Sequence, residues 1–214
     1  MTSEIWTIVP VRGIERGKSR LAAVLDAASR ARLNHWLLVH TLQVIERWRG
    51  DLKHCVVVSP CDQALELAQH AGAAIVREVK DANDLNRALA LGMSYATANG
   101  AGKVLALSCD LPDLTAESLC ALTSTAEHPE HMVLAPDKAG TGTNALLVDA
   151  RRDVEFRFGE RSLTRHREWA VARGWLVSVV ALPELGFDLD TPDDLTTWLK
   201  RGAEYLRGLD LKQS

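Results

Sequence analysis

Short apolar runs alternate with segments of helical period along almost the whole chain, and that alternation limits the folds open to it. The runs "IWTIVPV" (5–11), "HCVVVS" (54–59), "AAIV" (73–76), "KVLALSC" (103–109), "MVLAP" (132–136), "NALLV" (144–148) and "WLVSVVAL" (175–182) read as buried strands. After the first of them, Leu33, Leu37, Thr41, Val44, Ile45 and Trp48 share one face of a helix predicted over 29–48. Segments 62–71, 84–98, 115–125, 162–173 and 192–206 are predicted helices as well. "SP" before Asp62, "DLT" before Ala116 and "DTP" before Asp193 supply the helix starts. Strand–helix alternation at this pitch predicts βαβ units, hence an α/β chain with a mostly parallel sheet and helices on both faces. No repeat or Pro/Gly linker divides residues 1–214, so a single domain is expected, long enough to bury a core.

Several function classes fall away on composition. The formal net charge of −3 argues against a general nucleic-acid binder, which would carry a basic excess. The N-terminus "MTSEIWTIVPVRG" has an acid where a signal peptide needs basic residues. No apolar run approaches the ~20 residues that cross a bilayer, so no membrane partner is expected. Cys55, Cys61, Cys109 and Cys120 form no C-x-x-C pair and are expected as reduced thiols in a cytoplasmic protein.

In open α/β sheets a ligand sits beyond the carboxyl ends of the strands, which directs attention to the loops after 5–11, 54–59 and 103–109. The first, "GIERGKS" (13–19), imitates a Walker A loop, but that loop needs four residues between its glycines and here there are three. Arg12, Arg16, Lys18 and Arg20 nevertheless make it strongly basic, suited to a triphosphate or simply to solvent. In "SCDLPDL" (108–114), Asp110 falls where a buried strand emerges, while Asp113 and Thr115 are placed to cap the next helix. In "GFDLDTPDDL" (186–195), residues two apart in an extended segment share a side, so Asp188 and Asp190 converge while Phe187 and Leu189 turn inward. Asp193 and Asp194 fall in a first helical turn, where the helix dipole accounts for them. Asp188 and Asp190 call for a cation, and Mg²⁺ takes such oxygen ligands; the spacing does not make an EF-hand.

Two further loops, "DKAGTGTNALLV" (137–148) and "FRFGERSLTRH" (156–166), can offer hydroxyls and backbone amides to an anion. Ser162 and His166 lack the G-x-S-x-G elbow of a serine nucleophile, and His128 and His131 lack partners for zinc. The six tryptophans are scattered and read as packing residues.

Taken together and in order, "VPVRGIERGKSRL", "VVVSP", "LNRALA", "CDLPDLT", "GTGTNALLV", "FRFGERSLTRH" and "GFDLDTPDDL" resemble the 2-phospho-L-lactate guanylyltransferase family of deazaflavin coenzyme F-420 biosynthesis. The resemblance implies a three-layer, Rossmann-like nucleotidyltransferase fold. It implies a reaction of GTP with 2-phospho-L-lactate, phosphoenolpyruvate or 3-phospho-D-glycerate that releases pyrophosphate. It assigns Asp110, Asp188 and Asp190 to Mg²⁺, and Thr143, Gly159 and Ser162 to the phospho-acid. Lys18 and Arg12, with Asp110, would carry catalysis. Pro10, Val11, Gly13 and Lys18 would meet the nucleotide, with Ser59, Pro60 and Asn86 as further contacts. The product would be a labile phosphoanhydride, implying a downstream transferase; a monomer or a homodimer would serve. A phosphate monoester is already largely ionised at neutral pH, so three aspartates and a basic loop without a general base suit such chemistry. Two other readings stay open: a P-loop kinase or NTPase built on Lys18, Ser19 and Asp110, and a nucleotide-binding module without turnover.

Overall fold

The computed structural model describes residues 4–15, 17–79 and 84–201. Arg16 and the part of the predicted helix 192–206 beyond residue 201 lie outside the described residues. The strands are β1 (Ile5–Pro10), β2 (Cys55–Ser59), β3 (Ala74–Arg77), β4 (Lys103–Leu107), β5 (His131–Pro136), β6 (Thr143–Asp149) and β7 (Leu176–Val179). The helices are α1 (Ala27–Arg49), α2 (Asp62–His70), α3 (Leu85–Ala98), α4 (Ala116–Ser124), α5 (Ser162–Val171), α6 (Pro183–Gly186) and α7 (Pro192–Lys200). All seven expected strands and all six expected helices form within the described residues. A 3₁₀ turn over Ser19–Ala23 and the short α6 carry no long periodic pattern and were not anticipated.

The strands make one sheet in the order β3-β2-β1-β4-β6-β5-β7. Every pairing is parallel except those of β6, which runs antiparallel to β4 and β5. The reason is local: six residues, 137–142, join β5 to β6, too few for a parallel crossover. Reversal puts the first residue of β6, Thr143, at the same rim as the carboxyl ends of the other strands.

Alternate residues of the strands feed opposite faces of the sheet. Val9, Val57, Leu105, Leu147 and Val133 pack toward α1, α2 and α4, whereas Ile8, Val58, Ala106, Leu146 and Leu134 pack toward α3 and α5. This is a three-layer α/β/α arrangement. The runs 73–76 and 175–182 were expected as buried strands, and that expectation is corrected for both: β3 and β7 are the two edges of the sheet, β3 only half-buried with Arg77 exposed and β7 with Leu176 and Val179 exposed. Among the described residues β3 pairs only with β2 and β7 only with β5, so one long side of each has no strand partner.

A third cluster is decisive for the cleft. Leu21 and Leu25 join Leu33 and Leu37 of α1 with Phe187, Leu189, Leu195 and Trp198 from the C-terminal stretch. This cluster pins the segment after β7 beneath the basic loop that follows β1, two regions far apart in sequence.

Candidate active site

The burial pattern of 187–190 follows the expected alternation: Phe187 and Leu189 are buried, Asp188 and Asp190 half-buried. The Leu189 N–H donates to the Asp110 carbonyl at 3.0 Å, so the extended stretch lies directly beside the loop that follows β4. Asp110, Asp188 and Asp190 therefore line one cleft of about 860 Å³ at the carboxyl rim of the sheet.

Lys18 enters this cleft from the loop after β1. Its ammonium donates to Asp190 Oδ1 at 2.7 Å and to Asp110 Oδ2 at 3.0 Å, with the lysine side chain only 8% exposed. Lys18 is itself left-handed, φ 57°, a conformation that costs a non-glycine residue about 1 kcal/mol and that the two ion pairs offset. The loop is fixed by Asn34 of α1, whose side-chain amide donates to the Ile14 carbonyl at 2.7 Å. A Cβ at Gly17 would lie 2.6 Å from that amide and would push it off the Ile14 carbonyl. After Ser19 the chain makes a 3₁₀ turn, and α1 starts only at Ala27 behind the Asp26 cap. A P-loop would pass straight into its helix, so the Walker-like reading of 13–19 is set aside.

The charges in the cleft perturb one another. Burial works against the Lys18 ammonium, but Asp110 and Asp190 outweigh it and hold its pKa above the usual lysine value. Burial alone would lift Asp110; the Lys18 charge overrides it and holds that carboxyl below its ordinary range. Asp188 has no such cation, so burial and then the charges of Asp110 and Asp190 push its pKa up. Three carboxylates face the Lys18 ammonium and, 4.0 Å from Asp190, the exposed Arg20 guanidinium, which still leaves excess negative charge, and Asp110 Oδ1 is buried with no hydrogen-bond partner among the described residues. An orphaned carboxylate oxygen among hard oxygen donors fits a divalent cation. Among the described residues, no three acidic, histidine or cysteine groups are yet drawn together closely enough to enclose one; Lys18 occupies the space between two of them.

Asp194 does more than complement a helix dipole. It is buried and accepts hydrogen bonds from the Thr191 N–H at 2.8 Å, the Thr191 hydroxyl at 2.7 Å and the Asp190 N–H at 3.2 Å, besides pairing with Lys138. The Thr191 hydroxyl oxygen in turn accepts from the Asp194 N–H at 3.2 Å, closing a capping box at the start of α7. Burial opposes its ionisation, yet the Lys138 and Thr191 donors bring its pKa to about 2. Asp113, expected as a cap, instead pairs with Arg201 at 2.8 Å, and Thr115 caps α4 in a box closed by Ser118.

Of the other expected contacts, Pro10, Val11, Arg12, Gly13, Pro60 and Gly159 line the cleft, and Ser59, Asn86, Thr143 and Ser162 do not. Ser59 is fully buried and its hydroxyl accepts from the Cys61 N–H at 3.0 Å. Asn86 braces the loop that carries Gly159: it accepts from the Phe158 N–H at 2.7 Å and donates to the Phe158 carbonyl at 3.2 Å. Thr143 and Ser162 are buried behind that loop. His166 Nε2 accepts from the Arg157 N–H at 2.9 Å, so the neutral ring carries its proton on Nδ1, which faces the Thr143 hydroxyl at 3.2 Å. Burial, then Arg165 and Arg157, lower the His166 pKa to about 4, which keeps the ring neutral. Gly159 turns the loop at φ 115°, a region other residues avoid, and opens it toward the cleft. The cleft also holds residues that the sequence reading passed over, Glu78, Asp84, Asp137 and Glu160. The rule that selected Asp110, a carboxylate just past a strand, selects Glu78 after β3 equally well.

Known proteins resemble the chain along most of its length. The family model described as "Guanylyl transferase CofC like" matches residues 5–213. A phosphoenolpyruvate guanylyltransferase of Rubrobacter xylanophilus is 40% identical over 205 residues, covering 95% of this chain and 97% of the relative. A 3-phospho-D-glycerate guanylyltransferase of Phenylobacterium zucineum is 36% identical over 192 residues, covering 87% and 86%. Among solved structures, a nucleotidyl transferase from Methanothermobacter superposes with a TM-score of 0.67 at 16% identity, covering 95% of this chain and 98% of that one. A sheet of this order, a basic loop facing acidic strand ends and a match over nearly every residue agree: the chain belongs to the CofC-like guanylyl transferase family.

Proposed function

We propose that the protein transfers the guanylyl group of GTP to the phosphate of a small phosphorylated three-carbon acid and releases pyrophosphate, as a step toward the deazaflavin coenzyme F-420. The observation that carries this reading is the Lys18 ammonium held between Asp110 and Asp190, where the loops after β1 and β4 meet the C-terminal stretch. Such a reaction brings two anions together. An oxygen of the acid's phosphate forms a bond to the α-phosphorus of GTP while the bond from that phosphorus to the bridging β-oxygen breaks, and the electron pair leaves with pyrophosphate. The attacking phosphate is already ionised, so positioning and charge neutralisation matter more than proton transfer.

Lys18 and Arg12 would bind the triphosphate, and backbone around Gly13 and Gly17 allows close approach. Mg²⁺ on Asp110, Asp188 and Asp190 would supply charge neutralisation and in-line orientation of the phosphates. Gly159 would present its loop to the phospho-acid, with Thr143 and Ser162 behind it and the loop held by Asn86 and His166. Phosphoenolpyruvate is the first acid to try, because relatives bearing that name include the one at 40% identity. The labile phosphoanhydride product favours prompt hand-over to a downstream transferase.

The test is pyrophosphate release from GTP and Mg²⁺, with phosphoenolpyruvate, 3-phospho-D-glycerate and 2-phospho-L-lactate supplied singly alongside the downstream transferase and its acceptor. Release that depends on one acid is expected. Release with none of them despite GTP binding, or orthophosphate in place of pyrophosphate, would overturn the assignment.

A further inference from the structure

Glu78 stands one residue past β3 and lines the cleft at the end away from Asp110. Its backbone continues the sheet, the N–H donating to the Ser59 carbonyl at 3.0 Å. The residue is 8% exposed, and its Oε1 is buried with no hydrogen-bond partner among the described residues. Burial raises the Glu78 pKa, and the charges of Arg87 and Arg12 do not cancel that effect. A buried carboxyl oxygen with its bond unmade is a cost the fold does not require, so it points to a ligand that brings the missing donor.

Position and surroundings say which part of a ligand would meet it. The order β3-β2-β1-β4 puts three strand spacings, roughly 14 Å, between the ends of β3 and β4. That separation suits a nucleotide lying along the rim, with its phosphates at Lys18 and Asp110 and its base over β3. Leu85 and Ala88 of α3 and Pro60 line the same cleft and offer apolar surface to a flat ring. Of the common bases, guanine alone shows two adjacent donors on its pairing edge, N1–H and the N2 amino group. Adenine sets one donor beside one acceptor there, cytosine one donor beside two acceptors, and uracil flanks its N–H with carbonyls. A carboxylate, with two acceptors side by side, complements guanine alone.

We propose that Glu78 is the residue that selects guanine, its two carboxylate oxygens accepting from N1–H and from the N2 amino group of GTP. This rests on the guanylyl-transfer reading for its biological sense, though not for its test. Gln in its place offers one acceptor and one donor, which matches xanthine, whose C2 carries a carbonyl, better than guanine.

Binding of GTP, ITP, XTP, dGTP and ATP, each with Mg²⁺ and no phospho-acid, is measured by calorimetry on the full chain and on Glu78→Gln and Glu78→Asp, with melting temperatures alongside. The unaltered chain is expected to prefer GTP over ITP, which lacks the N2 amino group, by about tenfold or more. Glu78→Gln is expected to weaken GTP by roughly ten- to a hundred-fold, to bring GTP and ITP close together and to gain XTP. Its melting temperature is expected to hold or rise, since an unsatisfied buried carboxyl is removed. Glu78→Asp keeps both acceptors and should weaken GTP while keeping the preference over ITP; it serves if the Gln variant does not fold. A GTP-to-ITP ratio unchanged in a folded Glu78→Gln variant would overturn the proposal. So would a change confined to GTP over dGTP, which would assign the carboxylate to the ribose. Guanine-selective binding lost in Glu78→Gln, with no acid yielding pyrophosphate, would sustain Glu78 and remove guanylyl transfer. Acid-dependent pyrophosphate release with base preference intact in Glu78→Gln would do the reverse.

Discussion

Replacing Asp194 by Asn should destabilise the protein through a single electrostatic knot. The carboxylate holds Lys138, both donors of Thr191 and the Asp190 N–H, and its pKa lies at about 2 against an ordinary value of 3.8. A depression of that size corresponds to about 2 kcal/mol of folding stability at neutral pH. The side chain is only 6% exposed, so solvent screening takes little from this figure. Asn keeps one acceptor and turns an N–H toward a lysine, so most of that stabilisation goes. For a chain of this size the melting temperature should fall by roughly 4–8 °C at pH 7. The sign of the pH dependence follows from the depressed pKa: the contribution is complete above the unfolded value and is lost as pH falls toward 2. Thermal melts of both proteins from pH 7 down to pH 3 should show a constant gap that narrows only below about pH 4. Activity should drop as well, because Asp194 fixes the backbone that carries Asp190. An unchanged melting temperature at pH 7, or a gap that stays constant to pH 3, would refute the reasoning.

Two further substitutions probe the cleft and the wall behind it. Lys18→Met takes the counter-charge from Asp110 and leaves Asp190 with only the exposed Arg20 guanidinium at 4.0 Å; a stability loss of about 1–3 kcal/mol and a fall in pyrophosphate release of a hundredfold or more are expected. Added Mg²⁺ should raise the melting temperature of this variant more than that of the unaltered chain, and an equal rise would count against a shared cation position. His166, with its pKa lowered to about 4, stays neutral in the fold while the unfolded chain takes up a proton. Stability should therefore fall by about 3 kcal/mol as pH drops from 6.5 to 4. His166→Asn should lose that slope in urea melts, and an unaltered slope would show that the ring titrates freely.

Much of the architecture was legible in the sequence because periodicity is a local property. The Val- and Leu-rich runs at 54–59 and 103–109 read as interior strands and are, and of the face predicted for α1 Leu33, Leu37, Thr41, Val44 and Ile45 are buried while Trp48 at its end is half-buried. The alternation in 187–190 likewise announced two aspartates on one side, since period two is built into an extended chain. Which strands are edges was not legible: 175–182 is as apolar as any inner strand, and only the order of strands exposes Leu176 and Val179. The parallel or antiparallel sense of β6 followed from its short connection once both strand ends were known.

The contents of the cleft divide in the same way. Asp110, Lys18 and the Asp188–Asp190 pair carry local signatures of their own: a strand end, a basic glycine-containing loop, an alternating acidic stretch. That Lys18 lies between carboxylates 92 and 172 residues away, that Asn86 and His166 brace the Gly159 loop from different helices, and that Glu78 finds no hydrogen-bond partner for one oxygen among the described residues depend on tertiary contacts. A sequence records which groups can be charged or hydrogen-bonded. Only packing decides which of them lose water, and with it which must find a partner or keep a place for one.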